Sequence, residues 1–459
     1  MKKIASLLSL FLALFSSARG QQDPPVSFKV REDMIQLHVT GHSTLQASTW
    51  EWRLIAHLPV PDSPWHPFAN APDAEGKFEW SLPVPSQGWD RLELRARNGD
   101  TLIYEHAWPN GLIAPLQMLT PERVAPLPQP ARAAWDTYLA TSHQSALRER
   151  LALAAECRSL SLTTSQPAPA TSTEFEFDDK FDITWFATAD ASKLADVVLS
   201  YQTPSGGWSK GIDYRKGPRQ PGTHWTSQSG KGWHYCGTLD NRSTTEQILF
   251  LSHVHLAHQR EDCRLAVLRG VEWLFAAQFP NGGWPQVYPL EAGYHEAITL
   301  NDGAMLHALE LLQAISAGSA PFTFFDQALR QRATAAYERG LQCLRETQFV
   351  IGDHPTVWCA QHDPITLAPV AARLKEPPSL SGSESAEIVR FLMRKGPLDE
   401  STLKQVDLAL AWLADRRLTG LRRGKDERGK TTYTEDPTCS DPLWARFCDL
   451  QTGRPMFAG

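Results

Sequence analysis

The spacing of hydrophobic and polar residues divides the chain into two parts. From residue 26 to about residue 118, apolar and polar residues alternate in short runs such as Ile35-Gln-Leu-His-Val, with Pro, Gly, Asn and Asp between the runs. This period of two is typical of half-buried β-strands, and the length fits a small β-sandwich. From about residue 180 onward, apolar residues recur at helical spacing, which predicts a mainly helical part.

Six segments of the second part have the helical pattern. They are residues 189–202, 243–259, 261–278, 302–315, 325–348 and 381–393, and residues 406–412 would add a seventh. Taken as three hairpins, these helices predict an α/α toroid. The long connections 203–240, 279–300 and 349–380 each follow the first helix of a predicted hairpin. We therefore expect them to gather at one end, where an active site would lie.

A sequence repeat agrees with this interpretation. Gln202-Thr-Pro-Ser-Gly-Gly-Trp208 matches Gln278-Phe-Pro-Asn-Gly-Gly-Trp284 at five of seven positions, and a looser copy runs from Gln348 to Trp358. A repeat of this length, with two helices per copy, indicates stacked helix pairs. Each Gly-Gly-Trp could instead be only a helix stop closed by an aromatic side chain.

The first residues have the pattern of a signal peptide. Lys2 and Lys3 precede an apolar run, and small residues stand before Gln21, so residues 1–20 would be removed. We expect export to the periplasm or the extracellular space, and no membrane span, because no run is long and apolar enough. Residues 119–173 are interpreted as a proline-rich linker, a helix and a second linker. A catalytic domain would then occupy residues 174–459.

Composition and charge narrow the possible functions. The chain is 42% hydrophobic and 21% charged, as in ordinary globular proteins, and its net charge of −6 does not favour nucleic acid as a partner. Between Lys210 and Arg242 there are six Lys or Arg and two acidic residues. This stretch is either a solvated loop or a cationic wall for an anionic ligand.

Two similar tetrads close the first two long connections. They are Thr238-Leu-Asp240-Asn241 and Thr299-Leu-Asn-Asp302, and each puts an acid beside an amide at a helix start. Asp and Asn are preferred N-caps, so capping alone could account for them. Alternatively, the two carboxylates lie at one rim and hold a hard cation such as calcium through oxygen ligands. In the third connection, His362-Asp363 is either a functional pair or a structural one.

Residues 185–459 resemble pectate lyases of polysaccharide lyase family 10. The matching stretches are Tyr201-Gln-Thr-Pro-Ser-Gly-Gly-Trp-Ser-Lys210, Asp240-Asn241, Pro280-Asn-Gly-Gly-Trp-Pro-Gln-Val-Tyr-Pro289, Ile298-Thr-Leu-Asn-Asp302, Pro355-Thr-Val-Trp-Cys-Ala-Gln-His-Asp363, Ala372-Arg373, Ser379-Leu-Ser-Gly-Ser-Glu-Ser385 and Leu443-Trp-Ala-Arg446-Phe. The resemblance implies an α/α toroid and calcium-assisted β-elimination of polygalacturonate by a protein acting as a monomer.

The resemblance also implies roles for particular residues. Arg373 would be the catalytic base, although guanidinium is normally always charged and a carboxylate clamp is the simpler role. Asp240 and Asp302 would take part in catalysis and face the calcium ion and the substrate. The expected substrate contacts are Lys210, Asn241, Arg446, Trp284 and His362.

Several positions near the expected site depart from the family pattern. Arg242-Ser243 stands where the family usually has Gly-Ala, Gly303 where it has an acid or amide, Gly211 where it has Asn, and Cys448 where it has an aromatic residue. These departures keep two other functions open. One is a non-catalytic uronan-binding protein, and the other is a glycoside hydrolase that uses Asp240 and Asp302 as acid and base.

Overall fold

In a computed structural model of the chain, the described residues are 26–32, 36–55, 64–83, 91–109, 119–163, 165–177, 182–227, 237–291, 293–373, 376–394, 398–427, 429 and 431–456. The expected signal peptide lies outside them. Contacts divide the chain into two compact units, residues 1–85 with 89–110, and residues 86–88 with 111–459.

The described residues of the first unit form seven strands. They are β1 (Val26–Glu32), β2 (Gln36–Ser43), β3 (Thr49–Ile55), β4 (His66–Pro67), β5 (Lys77–Pro83), β6 (Arg91–Asn98) and β7 (Thr101–Pro109). They form two antiparallel sheets in the orders β1-β2-β5 and β4-β3-β6-β7. Trp50 of one sheet and Trp80 of the other are buried in one shared core, the arrangement of a β-sandwich. These two tryptophans are therefore core residues and offer no sugar platform.

The second unit is mainly helical, as predicted. Its helices are α1 (Pro121–Val124), α2 (Ala131–Ser159), α3 (Ala189–Ser200), α4 (Thr245–His258), α5 (Glu261–Ala277), α6 (Ala304–Ala317), α7 (Gln327–Glu346), α8 (Gly382–Arg394) and α9 (Glu400–Asp415). Short strands lie in the connections: β8 (Gly237–Thr238), β9 (Val287–Tyr288), β10 (Ile298–Thr299), β11 (Val350–Ile351), β12 (His354–Pro355), β13 (Gln361–His362), β14 (Leu380–Ser381), β15 (Leu421–Lys425), β16 (Thr431–Glu435), β17 (Phe447–Cys448) and β18 (Pro455–Met456).

The helix pairs differ from those expected. Short connections join α4 to α5, α6 to α7 and α8 to α9, and the two helices of each of these pairs pack together. The long connections run between these hairpins, whereas the sequence pattern placed them inside hairpins. The long connections still lead into the starts of α4, α6 and α8. The start of α6 lies near the turn before α4.

The Gly-Gly-Trp repeat builds the scaffold of the second unit. Its three tryptophans are fully buried, and each indole N–H donates to a carbonyl near the end of the preceding helix: Trp208 to Val198 (2.9 Å), Trp284 to Leu274 (2.9 Å) and Trp358 to Leu344 (2.8 Å). The amide nitrogens of the three repeat glutamines donate to the second helix of the next hairpin: Gln202 to Ala266 (2.8 Å), Gln278 to Ala336 (2.8 Å) and Gln348 to Gln405 (3.1 Å). The repeat therefore closes each helix and ties it to its neighbour.

The proline-rich stretch 120–130, which was interpreted as part of a linker, packs against the helical unit. Val124 of α1 and both Trp135 and Tyr138 of α2 are buried in the same core as the later helices. The backbone N–H of Leu119 donates to the Glu296 carboxylate at 2.8 Å. Proline is frequent here because it is tolerated in the first turn of a helix and in turns, and here it starts α1.

The stretch 163–173, which was interpreted as a second linker, pairs with the first long connection. Its backbone N–H groups donate to carbonyls of the first long connection: Gln166 to Gly222 (3.0 Å), Ala168 to Thr226 (3.0 Å) and Thr171 to Gly211 (2.9 Å). Composition predicted flexibility, but backbone pairing depends on the partner strand and is invisible in composition.

Two further observations concern the class of protein. None of the described helices is long and apolar enough to span a membrane. Six of the seven cysteines are described, and all six are buried and none of these six forms a disulfide.

Candidate active site

Two short turns with the same backbone geometry precede α4 and α6. The first turn is Asp240–Arg242 and the second turn is Asn301–Gly303. Each follows a threonine, Thr238 or Thr299, whose N–H donates at 3.0 Å to the carbonyl of a repeat tryptophan. Cα atoms of the two turns approach within 8 Å. The scaffold therefore sets the two turns side by side.

The acid and the amide exchange places between the two turns. The first position is buried in both, as Asp240 (5% exposed) and Asn301 (8% exposed). The second position has a left-handed backbone in both, with φ of 50° at Asn241 and 51° at Asp302. Asn and Asp adopt this conformation more readily than other side-chain-bearing residues. Only Asp302 therefore presents an exposed carboxylate.

The first turn is held by charges around it. The Asp240 carboxylate forms an ion pair with the Lys210 ammonium group, and its side chain is only 7% exposed. The Asn241 amide nitrogen donates to the Glu174 carboxylate at 2.9 Å. Two predicted site residues, Lys210 and Asp240, are thus in direct contact.

The second turn belongs to a polar network that reaches the third long connection. The Asn301 amide nitrogen donates to Asp302 Oδ2 at 2.5 Å, and its oxygen accepts from Arg446 Nη2 at 3.4 Å. Arg446 lies 3.5 Å from the Glu376 carboxylate, which accepts from Arg373 Nε at 2.9 Å and Nη2 at 2.5 Å. The structure therefore brings Arg373, Arg446 and Asp302 together, and Glu376 joins them.

Glu376 was missed by the sequence analysis. It stands three residues after Arg373, and besides the contact between the two side chains, the Glu376 N–H donates to the Arg373 carbonyl at 2.7 Å. An acidic residue only three positions after the proposed base was the signal in the sequence that could have identified Glu376.

The network sets the charge state of its members. The hydrogen bond from Arg373 to Glu376 raises the pKa of the Arg373 guanidinium, and the charge of Asp302 contributes. Burial raises the pKa of the Glu376 carboxyl, but the hydrogen bond and charge of Arg373 outweigh burial and leave that pKa lowered. In the unliganded site Arg373 is therefore a charged guanidinium.

Negative charge accumulates on the other side of Asp302. Partial burial raises the pKa of the Glu387 carboxyl, and the charges of Glu384 and Asp302 raise it further. A cation bound at Asp302 would reduce this repulsion.

A polar cavity of about 410 Å³ opens beside both turns. Asn241, Arg242, Asp302, Gly303 and His307 are among the residues that line it. A Cβ added at Gly303 would lie 2.9 Å from two atoms of the His307 ring, so the missing side chain makes room for this imidazole. Two departures from the family pattern, Arg242 and Gly303, therefore lie in the cavity wall.

The fit of the site to calcium differs between the two acids. Asp302 offers an exposed carboxylate, which suits a hard cation. The same cavity is lined by the acids Glu310 and Glu387 and by the arginines Arg242, Arg390 and Arg394. Asp240 is engaged by Lys210. In the described ranges, no group of three or more His, Cys, Asp or Glu side chains is arranged to hold a metal ion. Asp302 therefore fits as one ligand, with the remaining oxygens left to the substrate and water.

The structure does not bring Trp284 or His362 into the site. Both are fully buried. The Trp284 indole closes the preceding helix, and His362 Nδ1 lies 2.9 Å from the Leu367 carbonyl. Burial lowers the pKa of His362 to about 4. Full burial therefore gives these two side chains a structural role and not direct contact with the substrate. For Trp284, its position inside the repeat was the available signal.

Comparisons with known proteins agree with the motifs. The family described as pectic acid lyase matches residues 202–459. The chain belongs to the pectic acid lyase family. A family 10 polysaccharide lyase from Cellvibrio cellulosa is similar, with 32% identity and a TM-score of 0.52 over 59% of this chain and 81% of that chain.

A mutant of the family 10 polysaccharide lyase from Cellvibrio cellulosa, solved in complex with trigalacturonic acid, is similar to the same extent. It has 32% identity and a TM-score of 0.51 over 59% of this chain and 83% of that chain. No curated protein matches the chain. The resemblance to pectate lyases and the prediction of an enzyme of this class are confirmed.

Proposed function

We propose that this pectic acid lyase cleaves α-1,4-linked polygalacturonate by β-elimination at the second turn. The observation that carries the proposal is the continuous network from Arg373 through Glu376, Arg446 and Asn301 to Asp302. It sets two guanidinium groups beside one exposed carboxylate. This combination suits a substrate whose reacting unit has a carboxylate next to the carbon that loses a proton.

The reaction requires removal of the C5 proton of a galacturonate unit. The C4–O bond to the leaving sugar then breaks, a C4–C5 double bond forms, and the leaving oxygen gains a proton. A calcium ion at Asp302, when bound, would neutralise the uronate carboxylate and stabilise the negative charge that develops on it. The protein must hold this carboxylate and present a base to C5.

Arg373 is the proposed base. Its side chain is 60% exposed, and its hydrogen bonds to Glu376 keep it charged before substrate arrives. Glu376 also lies 3.5 Å from Arg446, which could retain this carboxylate when Arg373 turns to the substrate. Releasing the guanidinium from Glu376 would lower its pKa toward the ordinary value, which is still above ~12. Activity should therefore rise toward alkaline pH.

The other predicted site residues would bind the polymer. Lys210, Asn241 and Arg446 carry donors suited to uronate carboxylates and hydroxyls, and Lys210 would also keep Asp240 in place. The helical hairpins, tied in sequence by the repeat glutamines, support the proposal of an α/α toroid. The N-terminal pattern supports export, and we propose that the secreted enzyme acts as a monomer.

The test is absorbance of the unsaturated product during digestion of polygalacturonate, with calcium and with a chelator, for wild type and Arg373→Lys. Lysine keeps the charge but loses the planar fork, so we expect kcat to fall about 10³-fold or more with a smaller change in KM. A near-normal kcat with a raised KM would make Arg373 a binding residue. Cleavage without an unsaturated product would indicate a hydrolase, and tight binding without turnover would indicate a uronan-binding protein.

A further inference from the structure

We propose that Trp444 is a stacking subsite for a galacturonate unit outside the reacting pair, at the outer side of Arg446. This inference rests on the proposed function, because it takes polygalacturonate as the ligand. It adds a residue that holds the chain of the polymer and does not take part in the chemistry.

Trp444 differs from the other tryptophans in exposure. Its side chain is 46% exposed, and it is the only exposed tryptophan among the side chains that the structure describes. Single exposed apolar residues are ordinary on protein surfaces, so exposure alone carries no function. The argument depends on how the ring is held and where it lies.

The indole ring is anchored at its polar edge. Its N–H donates to the Leu413 carbonyl at 2.7 Å, near the C-terminal end of α9. This bond satisfies the one polar atom of the side chain and fixes the ring. The part left in solvent is therefore an apolar surface of fixed orientation, which loses little conformational entropy when a ligand covers it.

The segment 444–446 crosses the end of the α8–α9 hairpin that faces the network. The Gly382 N–H at the start of α8 donates to the Arg446 carbonyl at 3.2 Å. A Cβ added at Gly382 would meet the Ala445 carbonyl oxygen at 2.7 Å and Trp444 Cβ at 3.8 Å. The start of α8 and the end of α9 lie at the same end of an antiparallel hairpin. Trp444 is thus at the rim that carries Arg446.

The distance between the two residues suits neighbouring sugar units. Two residues span at most about 7 Å of chain. Arg446 contacts Asn301 and Glu376 and so lies inside the network, whereas Trp444 reaches toward α9 and lies outside it.

A galacturonate ring offers matching chemistry, with a carboxylate on one edge and C–H groups on its faces. The C–H face suits an apolar ring surface, and the carboxylate suits a guanidinium. A polymer passing from Arg446 over Trp444 would use both groups at once. The partner is therefore a uronan longer than the units held at the network.

The experiment compares Trp444→Ala and Trp444→Phe with wild type on polygalacturonate and on trigalacturonate. We expect Trp444→Ala to raise KM for the polymer about 10-fold and to change kcat little, the pattern of a uniform binding contact. KM for the trimer should change much less. Trp444→Phe keeps a ring but loses the N–H, and it should retain most of the affinity for the polymer. The control is Leu403→Ala, which removes an exposed apolar side chain that belongs to α9 itself, and it should leave KM for the polymer unchanged.

Three outcomes would overturn the inference. They are an unchanged polymer KM in Trp444→Ala, an equal effect on polymer and trimer, and a Trp444→Phe variant as impaired as Trp444→Ala with a similarly lowered Tm. The last would make Trp444 a structural residue. If wild type yields no unsaturated product, the proposed function fails, and calorimetric binding of polygalacturonate to the same variants still decides the role of Trp444.

Discussion

The first and second turns have the same backbone and opposite chemistry. In the first, Asp240 is buried against Lys210 and the left-handed position is an amide; in the second, Asn301 is buried against Arg446 and the left-handed position is the exposed acid Asp302. In both turns, the buried residue contacts a cationic side chain, Lys210 or Arg446. The exposed position decides which turn can offer a carboxylate to a metal ion or a substrate.

The difference continues one helical turn further along the chain. Glu246 in α4 and His307 in α6 follow their turns at the same distance, and burial shifts both pKa values away from charge. The pKa of Glu246 is raised to about 7, and that of His307 is lowered to about 3. Equivalent positions thus respond to pH in opposite directions. The comparison shows that the two turns share their backbone geometry and differ in the charged residues in and after them.

The largest expected effect separates the two exposed positions. Asp302→Asn should lower kcat/KM about 10³-fold, because a metal contact that stabilises the transition state supplies several kcal/mol. Asn241→Asp at the equivalent place should change it far less. Assays of unsaturated product at saturating calcium measure both.

The double variant Asn241→Asp/Asp302→Asn sharpens this test. It moves the exposed acid to the first turn, away from Arg373, and should stay inactive. Recovery of activity in the double variant would show that the two turns are interchangeable and that the network is not what selects the second.

The second prediction concerns pH and the two buried groups. The folded pKa of Glu246 lies above its unfolded value of 4.5, so its stabilising contribution is present below pH 4.5 and is lost as pH rises through about 7. The folded pKa of His307 lies below 6.5, so its contribution is present above pH 6.5 and is lost as pH falls toward 3.

Glu246→Gln should therefore flatten the loss of stability between pH 4.5 and 7, and His307→Gln the loss below pH 6.5. Each change should amount to about 3 kcal/mol. Denaturant unfolding across pH 4–8 is the measurement. Equal pH profiles for the two variants would contradict the opposed assignment.

The smallest expected effect concerns the third position of each turn. Gly303 has φ of 67° and no room for a Cβ beside His307, so Gly303→Ala should lower the free energy of unfolding by about 1–2 kcal/mol. Arg242 has φ of 57°, and Arg242→Gly should relieve a similar strain at the cost of two weak ion pairs, each 3.4 Å long.

The control for this prediction is the double variant Gly303→Ala/His307→Ala. Removing the ring should abolish the steric part of the cost and leave the backbone part. If Gly303→Ala and Arg242→Gly lower the free energy of unfolding equally, the backbone conformation of the two turns does not determine which residues they accept.

The sequence predicted the helices of the second unit because their apolar spacing is regular and long. It also predicted that Asp240 and Asp302 lie at one rim, since each closes a long connection and these connections were expected to gather at one end. The exchange of acid and amide was visible in those tetrads, but its meaning depended on the left-handed backbone at the second position, which spacing does not reveal.

Other parts of the site were not predictable in this way. Trp284 and His362 lie in segments that contain many polar residues, yet burial gives them structural roles. Glu376 lies outside the described helices and strands, where no periodic pattern predicts which side chains meet. Residues 120–130 and 163–173 resembled linkers because Pro, Thr and Ala are common both in linkers and in segments that pair with a neighbouring loop.

The docking of residues 119–171 changes where this enzyme can be divided. The family match starts at residue 202, but Val124, Trp135 and Tyr138 fill the core beneath the later helices. A protein trimmed to the matched region would expose these contacts and leave residues 211–226 without the strand they pair with. Any transfer of the catalytic part to another protein should therefore carry the chain from residue 119, because the boundary drawn by similarity falls inside a folding unit.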